Sequence, residues 1–432
     1  MDLRNRNALV VGLGKSGMAA ARLLLREGAN VAVADAKPID SLRPALEALG
    51  NNVQFAGAPR PEVYSGRDLI VKSPGVPRAA LEGAHRGAEV IGEAELAFRF
   101  LREPVIGVTG TNGKSTTTAL TGHLLTTAGW RVFAGGNLGT ALCERVLAGN
   151  ELDVTVCELS SFQLEDLVQF RCRAAAVLNI TPDHTDRYRS MSEYAAAKAC
   201  IFERQKQGDL AVLNGGDSYC RKMKTMPGAR RAEFDSSMIV KGGIEVDGRS
   251  YALRAKTLRG SHNAENALAA LLLTAHLGAE AEALQRGLDS YPGLPHRLEP
   301  VRTLRGVEYV NDSKATNVDS VEKSLSAFER DVLLIMGGRG KGTSYAPLRA
   351  LLKNRVKAIF TVGEDAAKIE EELGCVAPAT PCGDISIALE RAHAQARPGD
   401  VVLLSPACAS YDQFKNFEER GERFKQLVRS LT

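Results

Sequence analysis

Short apolar runs recur along the chain, each closed by glycine or polar residues and followed by a stretch with apolar positions at helical spacing. Residues 8–13 read as a buried strand ending in glycines. Ser16 to Arg26 follows with Met18, Ala21, Leu24 and Leu25 at helical spacing, and Gly28 is its stop signal. Asn30 to Ala34 is the next expected strand and ends at Asp35. Strand, helix and strand in that order imply a parallel sheet. Leu69 to Lys72 adds a strand before the turn Ser73-Pro74-Gly75. The pattern restarts with a strand over Pro104 to Thr109, a helix over Ser115 to Ala128, and strands over Trp130 to Phe133, Asp153 to Cys157 and Ala174 to Leu178. From Ala232 to Leu253 short polar and apolar runs alternate around Gly-Gly and Asp-Gly turns, which reads as a small antiparallel excursion. A helix is expected over Asn263 to Leu277. Tyr291-Pro292-Gly293-Leu294-Pro295 is a turn-rich joint, and beyond it apolar runs at 307–311, 331–336, 357–362 and 400–404 alternate with helical patterns.

At 432 residues the chain exceeds one ordinary core, so several α/β domains are expected. A formal net charge of +4 is small for that length and gives no field that would gather nucleic acid or a membrane surface. Neither partner is expected; small anions held by local charge are compatible. The eight cysteines include no C-x-x-C pair, which argues against a zinc site and for reduced thiols. The charged start, Met1 to Asn7, lacks the form of a signal peptide, and Ala264 to Leu277 is too short and too interrupted to span a bilayer. A cytoplasmic protein is the expectation.

Two glycine-rich loops carry the chemistry. Gly12-Leu13-Gly14-Lys15-Ser16-Gly17 is a G-x-G-x-x-G between a strand and a helix, with Asp35 at the end of the next strand. Such a loop lets backbone N–H groups approach a pyrophosphate at a helix N-terminus. Its direct reading is NAD, with Asp35 on a ribose, but any nucleoside diphosphate fits the same geometry. Gly107-Val108-Thr109-Gly110-Thr111-Asn112-Gly113-Lys114-Ser115-Thr116 ends as a P-loop ends. Its amides would wrap phosphates, Lys114 would pair with them and Ser115 would ligate magnesium. The standard spacing has glycine where Val108 stands. A dehydrogenase has no need of a P-loop, so two different nucleotides, one of them ATP, are the simpler reading.

Further segments, in order along essentially the whole chain, resemble the Mur ligase family. They are Glu158-Leu159-Ser160-Ser161-Phe162-Gln163, Asn179-Ile180-Thr181-Pro182-Asp183-His184-Thr185-Asp186-Arg187 and Tyr194-Ala195-Ala196-Ala197-Lys198. Gly260-Ser261-His262-Asn263 with Asn266, Leu294-Pro295-His296-Arg297 and Asn311-Asp312-Ser313-Lys314-Ala315-Thr316-Asn317 follow. Within the family, the run Leu404-Ser405-Pro406-Ala407-Cys408-Ala409-Ser410-Tyr411-Asp412-Gln413-Phe414-Lys415-Asn416-Phe417-Glu418-Glu419-Arg420-Gly421 is similar to the member that adds D-glutamate.

The resemblance implies three domains: a Rossmann-like one over 1–94 for the UDP-linked substrate, a central P-loop domain with a parallel sheet over 95–293, and a Rossmann-like one over 294–432 for the amino acid. It implies phosphorylation of UDP-N-acetylmuramoyl-L-alanine by ATP, then attack by D-glutamate, in a monomeric enzyme. Gly110 to Thr116, Asn266, Arg297 and Asp312 would hold ATP, with His296 nearby and Lys314 adding charge at the transferring phosphate. Ser115, Glu158, His184 and Lys198 would surround magnesium, Lys198 as a carbamate formed with carbon dioxide. Lys114, Lys198, His184 and Lys314 would be the catalytic set. Gly14, Lys15, Ser16, Asp35, Ser73, Pro74, Gly75, Asn137, Ser160, Ser161 and Gln163 would line the UDP-substrate channel, with UDP in place of NAD and Asp35 facing uracil. Thr316 and Lys341 would take the side-chain carboxylate of D-glutamate, and Ser410 and the Phe417 backbone its α-carboxylate. Family members often carry an acidic residue where Arg339 stands. Another amino-acid ligase of the superfamily, or an NAD-dependent oxidoreductase with a fused ATPase, are the competing readings.

Overall fold

Four sheets order the chain in a computed structural model that describes residues 1–50, 52–81, 87–184 and 187–432. The first sheet comprises β1 (Asn7–Val11), β2 (Asn30–Ala34), β3 (Val53–Phe55), β4 (Leu69–Lys72) and β5 (Glu89–Gly92), in the order β3-β2-β1-β4-β5. All of its pairings are parallel. This is the winding of a Rossmann-like domain, with the crevice where the order reverses, beside β1. β1 and β4 are apolar runs buried on both faces, as a sheet covered by helices requires. β1 stops at Val11, short of the expected 13, because Gly12 turns the chain with φ +91°. A Cβ at Gly17 would stand 1.8 Å from the Gly12 carbonyl oxygen, so the helix Lys15–Arg26 can approach the loop only with glycine there.

The second sheet holds β6 (Val105–Thr109), β7 (Val132–Gly136), β8 (Val154–Glu158), β9 (Ala174–Val177), β10 (Leu210–Asn214) and β11 (Arg230–Phe234). It is parallel throughout, in the order β11-β10-β9-β6-β8-β7, with β6 between β8 and β9. The strand expected at Trp130 begins at Val132, because the Trp130 N–H is bonded back to the Leu125 carbonyl at the end of the preceding helix. A three-stranded sheet follows: β12 (Ile239–Val240), β13 (Gly243–Val246) and β14 (Arg249–Ala252). The antiparallel excursion expected from Ala232 starts later, since 232–234 belong to β11. As an edge strand half open to water, β11 shows a polar-apolar alternation that mimics a hairpin.

The last sheet comprises β15 (Glu299–Leu304), β16 (Val307–Asn311), β17 (Val332–Gly337), β18 (Val356–Val362), β19 (Ala379–Gly383) and β20 (Val401–Leu404). Its order is β15-β16-β20-β17-β18-β19, with β15 antiparallel to β16 and the rest parallel. Two apolar clusters cover it. Val332, Leu334 and Met336 of β17 enter one, and Leu333 and Ile335 the other. This doubly wound layer is the second Rossmann-like domain.

The chain divides into two compact units. The first, Met1–Met238 with Glu245–Arg249 and Asn266–Gly287, contains the first two sheets, and one apolar cluster from Leu3 to Met223 runs through both. The second, Ile239–Ile244 with Ser250–Glu265 and Leu288–Thr432, contains the last sheet. Inside the first unit Lys72, at the end of β4, meets Asp166 at 2.7 Å with both side chains almost fully buried, and Arg78 adds a contact at 3.2 Å. Lys72→Met strands that carboxylate with one exposed partner, and the expected loss is about 3 kcal/mol in urea unfolding. A loss below ~0.5 kcal/mol would show that the pair contributes nothing to holding these sheets together. Among the described residues no helix is long and apolar enough to cross a membrane.

Candidate active site

β6 ends at Thr109, and the chain turns through Gly110 (φ +152°) and Gly113 (φ +85°) into the helix Lys114–Thr127. The departure at Val108 is explained by its place. It is a buried member of β6, paired with both neighbouring strands, so the loop proper has its glycines where it turns. The end of β9 holds the loop open. The Asn179 carbonyl accepts the Thr111 N–H at 2.9 Å, its Oδ1 accepts the Asn112 N–H at 2.8 Å, and its Nδ2 donates to the Asn112 carbonyl at 3.1 Å. Lys114 Nζ donates to the carbonyls of Gly110 and Thr111 at 2.9 and 2.8 Å, curled over its own loop. Ser115 and Thr116 open the helix, whose N-terminus favours an anion. A Cβ at Gly113 would lie 2.2 Å from Asn266 Oδ1, which also accepts the Thr117 hydroxyl at 3.2 Å. Asn266 therefore packs on the phosphate loop.

β8 flanks β6 and ends at Glu158, which is 2% exposed. Asn137, just past β7, donates from Nδ2 to Glu158 Oε1 at 2.7 Å and from its backbone to the Glu158 carbonyl at 3.0 Å. Among the described residues, Glu158 Oε2 is buried with no hydrogen-bond partner. An unmatched carboxylate oxygen of this kind is costly until a cation meets it, so the site fits magnesium. Lys198, on the helix Met191–Ala199, is 1% exposed, donates to the Gly110 carbonyl at 2.8 Å and lies 3.4 Å from Thr109 Oγ1. Burial, and then the charge of Lys114, lower its pKa to about 6, so the amine is largely uncharged at neutral pH. Its Nζ stands 4.7 Å from the centre of the Tyr194 ring, and His184 faces that ring at 6.1 Å. His184 has φ +52° and packs on Phe162 at 4.8 Å. Thr185 and Asp186 of the same stretch lie outside the described residues. Among those described, no three His, Cys, Asp or Glu side chains gather for a metal. A magnesium ion here would need the Ser115 hydroxyl, a modified Lys198 and phosphate oxygens besides Glu158 and His184.

Ser160 and Gln163 form a reciprocal capping box, with Ser160 N–H on Gln163 Oε1 at 2.9 Å and Gln163 N–H on Ser160 Oγ at 3.3 Å. Ser161 is buried beside them. In the first sheet, Asp35 Oδ2 accepts the Leu13 N–H at 2.7 Å and its Oδ1 the Lys37 N–H at 2.9 Å. The Ser73 hydroxyl donates to the Gly12 carbonyl at 2.7 Å. Both side chains brace the glycine loop. Pro74 and Gly75 continue the same turn with partial and full exposure. Gly14 and Lys15 are exposed and Ser16 partly so. With Leu13, Met18 and Arg22, Gly14 and Lys15 line a cavity of about 450 Å³ closed by Gly139, Thr140, Ala141 and Glu144.

In the second unit, the chemistry lies past the carboxyl ends of three adjacent strands, where open α/β sheets bind ligands. Asp312, Lys314 and Thr316 follow β16, Ser410 follows β20, and Lys341 follows β17. Asp312 is buried. It accepts the Leu298 N–H at 3.1 Å and the Ser405 hydroxyl at 2.9 Å, and the Ser324 hydroxyl also reaches it. Burial raises its pKa to about 6. Arg297 adds charge near it, and the Lys314 N–H bonds to the carbonyl of His296, which has φ +63°. Lys314 Nζ lies 3.8 Å from the centre of the Phe417 ring. Lys341 is exposed, and Ser410 is 2% exposed. The backbones of Arg339 and Ala409 exchange both hydrogen bonds, joining the two turns. The Arg339 side chain turns to Glu364 at 2.8 Å, which neutralises the charge that the sequence left unexplained.

Three family models match the chain: a MurD-like N-terminal domain of Mur ligases over residues 6–92, the Mur ligase middle domain over 108–274 and the Mur ligase glutamate ligase domain over 296–408. A UDP-N-acetylmuramoylalanine–D-glutamate ligase of Anaeromyxobacter dehalogenans is 51% identical, covering 99% of this chain and 98% of the relative. One of Myxococcus xanthus is 47% identical over the whole of both chains. The fold is also that of MurF ligase from Thermotoga maritima in complex with ADP, at TM-score 0.64 and 16% identity, covering 100% of this chain and 97% of that one. It is likewise that of UDP-N-acetylmuramate-alanine ligase MurC from Thermotoga maritima, at TM-score 0.61 and 19% identity, covering 98% and 99%.

Proposed function

The chain belongs to the Mur ligase family and is an ATP-dependent, ADP-forming ligase that adds D-glutamate to UDP-N-acetylmuramoyl-L-alanine in peptidoglycan precursor synthesis; from that premise we propose how its residues divide the work. A carboxylate is a poor electrophile because oxide is a poor leaving group. Its oxygen attacks the γ-phosphorus of ATP and ADP departs. The uncharged amine of D-glutamate then attacks the acyl phosphate, the tetrahedral intermediate expels phosphate, and the amine loses its proton to leave an amide. The central task is to bring anions together, so fixed positive charge and oriented amides carry most of the catalysis.

In this reading the Gly110–Thr116 amides and Lys114 cradle the β- and γ-phosphates, and Arg297 and Asp312 contact the nucleotide. Lys314 adds charge at the phosphoryl group in transfer. Ser115, Glu158, His184 and a carbamate on Lys198 would hold magnesium, which would supply charge screening and polarisation of the phosphoryl group. Asn137 orients Glu158. Gly14, Lys15 and Ser16 receive the UDP diphosphate, and Asp35 and the Ser73–Gly75 turn act largely by shaping that loop. Thr316 and Lys341 take the side-chain carboxylate of D-glutamate, and Ser410 and the Phe417 backbone its α-carboxylate. The enzyme works as a monomer in the cytoplasm, where UDP-linked precursors and ATP meet. The observation that carries the reading is the buried, half-partnered Glu158 set beside a phosphate loop.

The test is phosphate release from ATP and magnesium with UDP-N-acetylmuramoyl-L-alanine and one amino acid at a time. Release that requires D-glutamate, and fails with L-glutamate and L-alanine, is the expected result. Equal release without any amino acid would make the chain an ATPase rather than a ligase.

A further inference from the structure

Arg420 lies in the first turn of the helix Phe417–Ser430 and is 2% exposed. A guanidinium at that depth is ordinarily matched by a carboxylate. Here each of its hydrogen-bond partners is neutral. Nε donates to Ser313 Oγ at 3.0 Å, Nη2 to the carbonyls of Ser313 at 2.9 Å and Cys408 at 3.1 Å, and Nη1 to the carbonyl of Ala409 at 3.5 Å. Asp412 acts on it only as a charge nearby.

These contacts gather every segment assigned above to the amino acid. Ser313 sits in the turn after β16 that carries Lys314 and Thr316. Cys408 and Ala409 lead into Ser410. The Ser313 hydroxyl passes the connection on, donating to the Phe417 carbonyl at 2.8 Å. A Cβ at Gly338, in the turn that carries Lys341, would stand 3.2 Å from Arg420 Nη1, so that turn packs on the same group. Burial lowers the guanidinium pKa to about 10, which leaves it charged at neutral pH.

We propose that Arg420 is the positioning residue of the amino-acid site: one buried guanidinium holds the turns bearing Thr316, Lys341, Ser410 and Phe417 in register, and, since no carboxylate among the described residues hydrogen-bonds to it, the two carboxylates of D-glutamate complete its charge balance. The inference rests on the assignment of D-glutamate to these turns. It accounts for a buried cation that a purely structural tie would not need, since neutral donors serve carbonyl acceptors as well.

The experiment compares Arg420→Met, Arg420→Lys and Ser410→Ala by steady-state kinetics with each substrate varied, with circular dichroism as the check on folding. Arg420→Met is expected to raise KM for D-glutamate roughly thirtyfold and to move KM for ATP by less than about twofold. Arg420→Lys keeps the charge and is expected to restore KM for D-glutamate to within about fivefold of the parent, with kcat still reduced because one ammonium cannot span four acceptors. Parallel rises in both KM values, or a lysine variant no better than methionine, would overturn the proposal. If Arg420→Met does not fold, the lysine variant decides alone: a selective rise for D-glutamate supports it and a parallel rise overturns it. An unchanged KM for D-glutamate in Ser410→Ala removes the site assignment and the proposal with it. A rise in Ser410→Ala without one in Arg420→Met removes only the role of Arg420.

Discussion

Lys198→Ala is expected to lower kcat by on the order of a thousandfold, and short carboxylic acids such as formate or acetate are expected to restore a measurable part of it. The reasoning starts from charge. An ammonium at Lys198 would stand beside Lys114 and face the site where Glu158 awaits a cation, and like charges in a dry pocket repel strongly. Burial and Lys114 together hold the amine uncharged above pH about 6. An uncharged amine can attack carbon dioxide, forming a C–N bond and releasing a proton, and the product is an anion where a cation would have been. The sign of the pH dependence follows. The uncharged fraction grows as pH rises through about 6, so at equal dissolved carbon dioxide, rather than equal total bicarbonate, enzyme stripped of carbon dioxide should recover faster at pH 8 than at pH 5.5. Alanine leaves a gap that a small carboxylate can enter, carrying the same charge. Full activity of Lys198→Ala without added acid would end the carbamate reading.

The chemistry was legible in the sequence wherever it sits at a strand end. The P-loop, Glu158, the Asn179–His184 stretch, Asp312 and Ser410 each follow an apolar run, and parallel sheets bring the carboxyl ends of neighbouring strands together. What stayed hidden were side chains that serve those groups from afar. The resemblance places Asn137 and Asn266 among the ligand contacts, and the fold adds that one donates to Glu158 while the other packs on Gly113 across more than half the middle domain. Asp35 and Ser73 match a nucleotide-binding pattern while bonding to the backbone of the loop itself. Nothing local in the Asn179–His184 stretch gives Asn179 a role, since its hold on Asn112 needs β9 to lie beside β6. Arg420 belongs to the C-terminal run that carries the resemblance, but nothing local gives it a role, because its partner Ser313 is 107 positions away and charged residues on an amphipathic helix usually face water. The edge strand β11 misled for a related reason, since its alternation reports solvent on one side and is silent about direction.

Glu158→Gln is expected to lower kcat by roughly a thousandfold or more and yet leave the magnesium-free protein at least as stable as its parent. The two effects share one cause. Asn137 satisfies Oε1, and Oε2 is buried with nothing among the described residues to accept from, so the folded chain carries a desolvated carboxylate whose compensation comes from the ion it binds. Glutamine removes the formal charge and lowers that desolvation cost, at the price of the metal site. In thermal unfolding with ATP, magnesium should raise the parent's midpoint by several degrees and the variant's by much less, because a ligand stabilises only a state it binds. Asn137→Ala should fall between them, losing about tenfold to a hundredfold in activity, since it frees Glu158 to turn without removing its charge. A glutamine variant with the parent's magnesium-dependent shift would move the ion away from Glu158. A variant much less stable without magnesium would mean that the buried carboxylate is held by something other than Asn137 and the bound ion.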